Sequence, residues 1–189
     1  MFRTRLISTA ALLLFAVACS QGSQTSTSGA TSAAAAIRPS EIVLPLNFST
    51  HMHGHLETPA RPSNAQGQLI LKVSDDRQSI DYKLIASNIN NVTASHIHQG
   101  PAGLAGPPVV FLYGPAAAGA GRHDGVLSTG TITAANLIGP LANQPLSALL
   151  SLIEHGNAYA NVHTNDGIDP TNTGPGDFPL GEIRGQIVK

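Results

Sequence analysis

A chain of 189 residues is long enough for one domain with a sizeable core, and it carries ten basic against eleven acidic side chains. This balance excludes nucleic acid as an expected partner, because binding to phosphates requires a basic stripe that the composition does not provide. With 19 glycines, 13 prolines, 11% charged residues and no tryptophan, the composition favours short elements joined by turns over long helices.

The first 18 residues have the pattern of a secretory signal peptide. Two arginines precede an apolar run over residues 6–17, which is too short to span a bilayer as a permanent helix. The only cysteine, Cys19, follows directly, and the segment AVAC that it closes resembles the lipobox at which bacterial lipoproteins are cleaved and lipidated. We expect acyl chains such as palmitate on Cys19, because firm attachment to a bilayer requires more than one chain. The alternative is a plain signal peptide, cleaved near residue 18 without lipidation.

Residues 20–36 predict a tether between this anchor and a folded domain over residues 37–189. The segment contains Ser, Thr, Gly, Ala and Gln but no charge and no large apolar residue, so it cannot bury enough surface to order itself. The expected location is the cell envelope, with the domain held on a lipid bilayer and facing the periplasm or the outer surface.

From residue 37 onward, apolar residues mostly alternate with polar ones, as in half-buried strands. The clearest element is a hairpin of residues 66–74 and 79–86, whose polar turn separates two alternating runs. Residues 108–113 (PVVFLY) are continuously apolar, which predicts a strand buried on both faces. The remaining strands are predicted at residues 42–48, 92–98, 125–133, 158–164 and 181–188.

One helix interrupts the strands. Pro145 is favoured in a first helical turn and Gly156 supplies a stop, while leucines and an isoleucine at helical spacing between them form an apolar stripe. Residues 134–137 are predicted to form a further single turn. Several short strands, frequent turns and one short helix predict an all-β fold, either a Greek-key β-sandwich or a barrel.

Three segments are similar to the CHRD (chordin-type) domain family. They are ASHIHQGPAG at residues 94–103 with GPPVV shortly after it, GNAYANVHT at residues 156–164, and GEIRGQI at residues 181–187. An early ETP turn at residues 57–59 also resembles the family, and the likeness covers roughly residues 42–188. Animal chordins carry several such domains and bind extracellular growth factors, whereas bacterial versions are usually single and exported. The resemblance implies an extracytoplasmic module that binds an unknown protein or small ligand, and it implies no reaction.

The histidines and charged residues of these segments are predicted to share the outward faces of strands. Side chains alternate between the two faces of a strand, so residues next to inward-facing aliphatic ones point outward. If Ile97, Val162 and Ile183 face the core, polar side chains of three strands gather on the far side. These side chains are His96, His98, His163, Glu182 and Arg184.

Two interpretations of this polar face remain open. In the first, Glu182 and Arg184 hydrogen-bond the imidazoles and nearby backbone groups, as a polar ladder whose cross-strand pairs contribute about 0.2–1 kcal/mol each. In the second, His96, His98 and His163 bind copper or zinc with an open coordination position. A shared ion requires the three ring nitrogens to lie within roughly 3 to 4.5 Å of one another.

The same pattern resembles the copper side of copper-zinc superoxide dismutase, through its His-x-His strand, late Val-His and final-strand arginine. That resemblance implies His96, His98 and His163 as ligands and Arg184 as an anion-attracting group. A bridging histidine, a compact zinc cluster and a disulfide are missing from the sequence, which argues against dismutase activity. We therefore expect a binding or surface module, assign no catalytic residue, and keep metal binding as the alternative.

Two other features of the sequence are candidate parts of a site. His51, His53 and His55 (HMHGH) would share one face if they lay on a strand, which suits a loosely held transition metal. The alternative is an exposed polar edge without a role. The long loop at residues 164–179 follows His163 directly and is the predicted lid over any bound ligand.

Overall fold

The computed structural model describes residues 46–189, which form eight β-strands and one α-helix. The strands are β1 (Asn47–His53), β2 (Gln66–Val73), β3 (Ile80–Asn90), β4 (Val92–Gln99), β5 (Pro108–Tyr113), β6 (Arg122–Ile132), β7 (Ala158–Thr164) and β8 (Ile183–Gln186), and the helix is α1 (Leu146–Glu154). Short 3-10 turns lie at Gly54–Leu56, Ala134–Asn136 and Gly139–Leu141. No helix within residues 46–189 is long and apolar enough to cross a membrane.

The predictions for the signal peptide, the lipidated Cys19 and the tether lie outside the described residues, as does most of the first predicted strand. Where the structure describes that region, β1 begins at Asn47 and runs through His53. The strand is therefore later than predicted. Its buried residues alternate with polar ones, and the histidines occupy the alternate positions that the sequence analysis assigned to a polar cluster.

The eight strands form one antiparallel sheet in the order β5-β4-β7-β8-β1-β2-β3-β6. The two edge strands, β5 and β6, come together and nearly close the sheet into a barrel. Ser128 Oγ on β6 and Tyr82 OH on β3 both donate to the backbone oxygen of Leu112 on β5, each at 2.8 Å. The chain passes between strands that are not neighbours in this order after β3, β5 and β6. The all-β fold with one short helix is thus confirmed, in its barrel form.

The barrel interior is filled by the aliphatic residues that the two-residue alternation placed there. Ile97 on β4, Val162 on β7 and Ile183 on β8 are all fully buried, as the sequence analysis required. The predicted hairpin is β2 and β3, and its Leu69 and Leu71 are also fully buried. The helix adds its apolar stripe, Leu146, Leu149, Leu150 and Ile153, to the same core.

The prediction that residues 108–113 are buried on both faces is wrong. Val109, Val110 and Leu112 are buried, but Phe111 is 47% exposed. The reason is that β5 is an edge strand of a single sheet, and no second layer covers its outward face along the described chain. The outward Phe111 ring instead packs against the ring of His96, with 4.5 Å between the ring centroids.

Truncating Ile97 tests the inward orientation of β4. We expect Ile97→Ala to lower the free energy of unfolding by about 2–5 kcal/mol, because the change leaves a cavity in a closed core. Val126→Ala is the matched control, since Val126 lies on β6 but is 49% exposed, and its effect should stay within about 0.5 kcal/mol. Urea unfolding followed by circular dichroism measures both values. Equal, small effects would contradict the assigned faces.

Candidate metal centre

Three adjacent strands bring the predicted site residues onto one outward face. In the β4–β7 pairing, His96 lies opposite Asn161 and His98 lies opposite Tyr159. In the β7–β8 pairing, Asn161 lies opposite Arg184. This face points away from the barrel core but is not open to solvent, because Asn161 and Arg184 are each only 2% exposed. Loops therefore roof it.

The structure brings His96, His98 and His163 together as the sequence analysis predicted. One ring nitrogen from each lies within 4.8 Å of the other two, and His96 Nδ1 is 3.0 Å from His163 Nε2. The widest separation slightly exceeds the expected 4.5 Å. Nitrogens that share a tetrahedral ion at 2.0–2.1 Å lie roughly 3.4 Å apart, so the rings as placed are too far apart to share one ion, and binding requires at least one ring to move.

Backbone carbonyl groups fix the orientation of two of these rings. His98 Nδ1 is 2.8 Å from the oxygen of Gly106, and His163 Nδ1 is 2.9 Å from the oxygen of Pro179. A carbonyl oxygen only accepts hydrogen bonds, so both Nδ1 atoms carry the proton and both Nε2 atoms carry a lone pair. A histidine whose second nitrogen donates to a backbone carbonyl is typical of metal-binding sites.

The remaining nitrogens of the trio are available as ligands. His98 Nε2 is buried and has no hydrogen-bond partner among the described residues. His163 Nε2 accepts from His96 Nδ1. For both atoms to bind one ion, the His96 proton would move from Nδ1 to Nε2, and each of the three rings would then offer one lone pair.

The three imidazoles are neutral at pH 7. Burial and the neighbouring imidazoles of His163 and His98 lower the pKa of His96 to about 4. Burial likewise lowers the pKa of His98 to about 4, despite the opposing bond to Gly106. Burial also lowers the pKa of His163. Neutral imidazole is the form that binds a metal ion.

Arg184 fastens the first of the covering loops, which connects β4 to β5. Its Nη2 donates to the backbone oxygens of Pro101 and Leu104, at 3.0 and 2.9 Å. The guanidinium lies over the ring of Tyr159, 3.3 Å from the centroid, and Tyr159 in turn stacks on His98 with 4.9 Å between centroids. Arg184, which was predicted to attract anions, thus hydrogen-bonds the loop that contains Gly106.

Glu182 fastens the other loops. Its carboxylate accepts hydrogen bonds from Ser63 Oγ and Thr164 Oγ1, both at 2.6 Å, and from the backbone N–H of Gly176 at 2.8 Å. These donors belong to the β1–β2 connection, the end of β7 and the long β7–β8 loop. That long loop was the predicted lid, and it provides the Pro179 oxygen that orients His163. Glu182 therefore holds together the segments that cover the histidine face.

Neither Glu182 nor Arg184 hydrogen-bonds an imidazole among the described residues. Both were predicted as polar support, and the groups that they bind are backbone and hydroxyl groups of the adjoining loops. Their support for the histidines is indirect, because the loops that they hold supply the carbonyl acceptors of His98 and His163.

Two buried polar residues of the face were not assigned a role from the sequence. Asn161 Oδ1 and Glu57 Oε1 are buried without a hydrogen-bond partner among the described residues. Burial raises the pKa of Glu57, although the hydrogen bond from the Thr58 N–H and the charge of Arg184 both act to lower it. Strand alternation already placed Asn161 beside His163. Glu57 lies outside the strands, in the ETP turn, and only the fold brings it to the face.

The condition for a shared strand face holds only for His51 and His53, which lie at alternate positions of β1. His55 lies in the 3-10 segment Gly54–Leu56 that follows the strand, and its ring stacks on that of His53, with 5.3 Å between centroids. Within residues 46–189, the only cluster of three or more His, Cys, Asp or Glu residues placed to share a metal ion is His96, His98 and His163.

These features define an all-β barrel module with a loop-covered histidine face. The family model of the CHRD domain matches residues 48–187, which include all three histidines, Glu182 and Arg184. The chain therefore belongs to the CHRD domain family. No curated protein and no solved structure matches it, so the likeness to copper-zinc superoxide dismutase stays a prediction.

Removing the Glu182 carboxylate tests its role in the roof. We expect Glu182→Ala to cost about 2–4 kcal/mol of unfolding free energy, because a buried donor left without its acceptor costs about 1–3 kcal/mol and some of the three will regain water. Glu154→Ala is the control, since Glu154 is exposed and makes only a surface contact with Arg77 at 3.8 Å. Limited proteolysis should also cut the β7–β8 loop faster in Glu182→Ala alone. If the β7–β8 loop of Glu182→Ala is cut at the wild-type rate, Glu182 does not hold that loop in place.

The lowered pKa values predict an acid-sensitive fold. An unfolded imidazole titrates near 6.5, while folded His96 and His98 titrate at about 4. The unfolded chain therefore binds more protons between these values, so stability should fall as pH drops from 7 towards 4. Urea unfolding in EDTA at several pH values measures the slope. Replacing both histidines with glutamine should flatten it, whereas replacing His51 and His55 should not; an unchanged slope in the first variant would contradict the assignment.

Proposed function

We propose that this protein is an envelope-anchored CHRD binding module whose loop-covered face binds a transition metal ion, copper or zinc, through His96, His98 and His163. The observation that most supports a metal site is that one ring nitrogen from each of three neutral imidazoles lies within 4.8 Å of the other two. His96 Nδ1 and His163 Nε2 are 3.0 Å apart, and the Nδ1 atoms of His98 and His163 are fixed by backbone carbonyls.

The contacts of the face favour a metal over a purely structural polar ladder. In a ladder, Glu182 and Arg184 would hydrogen-bond both the imidazoles and nearby backbone groups; they bind the backbone and hydroxyl groups of the loops, but no imidazole. His98 Nε2 is left buried and unpartnered, which costs about 1–3 kcal/mol in a protein interior. A metal ion at this point would satisfy that atom.

The donor set indicates which ions fit. Imidazole nitrogens suit zinc and copper, whereas thiolate or thioether ligands would select for Cu(I) or iron-sulfur clusters. Three imidazoles leave at least one coordination position for another group. We assign the site binding and no reaction, and an unidentified protein or small ligand of the CHRD module stays a second candidate, supported by family membership.

We further propose that the domain is held on a lipid bilayer through acylated Cys19 and faces the periplasm or the outer surface. The support is the order of basic residues, apolar run and lone cysteine in the sequence, followed by a tether of small polar residues. Nucleic acid is not an expected partner, because a mature chain from Cys19 would carry eight basic against eleven acidic residues.

The metal proposal is tested by titrating the exported chain with Cu(II) and Zn(II). The chain carries Cys19→Ser, which keeps it off membranes and removes its only thiol. We expect one ion per chain, and at least 100-fold weaker binding in His96→Ala/His98→Ala because two of the three donors are lost. His51→Ala/His55→Ala is the matched control and should bind as the parent does. Equal uptake by all three proteins would contradict the site.

The anchor is tested separately by fractionating cells that express the wild-type chain or Cys19→Ser. We expect wild type to stay with membranes until detergent is added and the serine variant to appear in the soluble fraction, because acyl chains are attached to the thiol. Mass spectrometry of the N-terminal peptide should show the added acyl mass in wild type alone. Identical partitioning of the two chains would overturn the anchor without affecting the metal site.

A further inference from the structure

Asn161 occupies the middle of the polar face. It lies opposite His96 in the β4–β7 pairing and opposite Arg184 in the β7–β8 pairing, and it precedes His163 by two residues on the same side of β7. Side chains directly opposite each other on antiparallel strands have Cβ atoms about 4.5–5.5 Å apart. The register therefore places the side-chain amide of Asn161 among the histidines.

The amide of Asn161 is buried and incompletely satisfied. Its side chain interacts with both the ring of His98 and the carboxyl group of Glu57, and no described residue donates a well-formed hydrogen bond to its Oδ1. A buried amide oxygen without a partner costs about 1–3 kcal/mol, and folded proteins keep few of them. His98 Nε2 and Glu57 Oε1 are orphaned in the same region.

Two of these atoms share one chemical character. With Nδ1 of His98 protonated towards Gly106, its Nε2 is an acceptor, and so is the amide oxygen of Asn161. The Nδ2 donor of the same amide lies on the Glu57 side, which leaves Oδ1 for the histidines. A cation would satisfy both acceptors together.

We propose that Asn161 Oδ1 is the fourth protein donor of the three-histidine site and that Glu57, behind it, supplies the compensating negative charge. This inference rests on the proposed metal site and adds a residue that sets its preference among ions. An amide oxygen is a hard donor, so the completed set favours Zn(II) and Cu(II) over Cu(I).

Glu57 is proposed to compensate the positive charge of the bound ion. Three imidazoles and one amide are all neutral, so they leave the charge of a divalent ion uncompensated. The carboxyl group of Glu57 lies beside the Asn161 amide and interacts electrostatically with Arg184. Gly181 makes room for this arrangement, because a Cβ there would lie 2.8 Å from Glu57 Cδ and 2.9 Å from Asn161 Nδ2. Supporting groups of this kind typically change metal affinity by about 10–100-fold.

The test loads the Cys19→Ser chain with Co(II), whose d–d absorption bands report the donor set, and measures affinity by competition with Zn(II). We expect Asn161→Ala to keep one Co(II) per chain, to shift the d–d bands as water replaces the amide, and to bind about 10–100-fold more weakly. Glu57→Gln should weaken binding with the bands unchanged. A band shift separates a ligand from a residue that is only structural.

Gln186→Ala is the matched control. Gln186 is an amide residue on the same face of the neighbouring strand β8, and it also has an orphaned oxygen. Its Nε2 is bound to the backbone oxygens of Gly100 and Gly156, so its loss loosens the β4–β5 loop without removing a proposed ligand. Its loss should leave the bands unchanged. Asn161→Asp covers the case in which the alanine variant does not fold, and it should bind Co(II) about tenfold more tightly because it adds a charged oxygen at the ion.

The outcomes separate this inference from the proposed function. If the parent chain binds no Co(II) or Zn(II), the metal site itself fails. If the parent binds one ion but Asn161→Ala has the same bands and affinity as Gln186→Ala, or if Asn161→Asp leaves affinity unchanged, the three-histidine site stands and the role of Asn161 is overturned.

Discussion

The alternation of side chains on β4, β7 and β8 is the constraint on which the rest of the structure depends. Burying Ile97, Val162 and Ile183 in the barrel forces His96, His98, Asn161, His163 and Arg184 onto the opposite face. A shift of one residue in any of these registers would exchange the two sets. The hydrophobic core therefore assembles the polar site, and neither can move without the other.

The loops that cover this face convert a polar surface into a buried site. Arg184 and Glu182 are nearly fully buried, at 2% and 1% exposure, and each binds loops rather than a ligand. Those loops return two backbone carbonyls, from Gly106 and Pro179, to the outer nitrogens of His98 and His163. Burial under the loops keeps the imidazoles neutral, and the carbonyls aim their lone pairs. Arg184 and Glu182 therefore affect the histidines indirectly, through the loops that they hold in place.

The sequence predicted the strands that position the site and the three histidines that meet there, because strand periodicity and local spacing are enough for both. It did not predict that Phe111 is exposed, since a continuous apolar run carries no information about which strand lies at a sheet edge. It did not predict that the strand ends before His55, because the turn that begins at Gly54 depends on contacts with the segment around Arg61. Glu57 was missed as a site residue for the same reason: only tertiary folding brings its turn to the face.

The most direct test of the account is anomalous diffraction from crystals of the protein grown with Zn(II) or Cu(II). The account predicts one anomalous peak at about 2.0–2.1 Å from the His98 Nε2, His163 Nε2 and His96 Nδ1 atoms, beneath loops in the positions described. A peak only at the exposed histidines of β1, or no peak beside imidazoles that keep their present contacts, would contradict it.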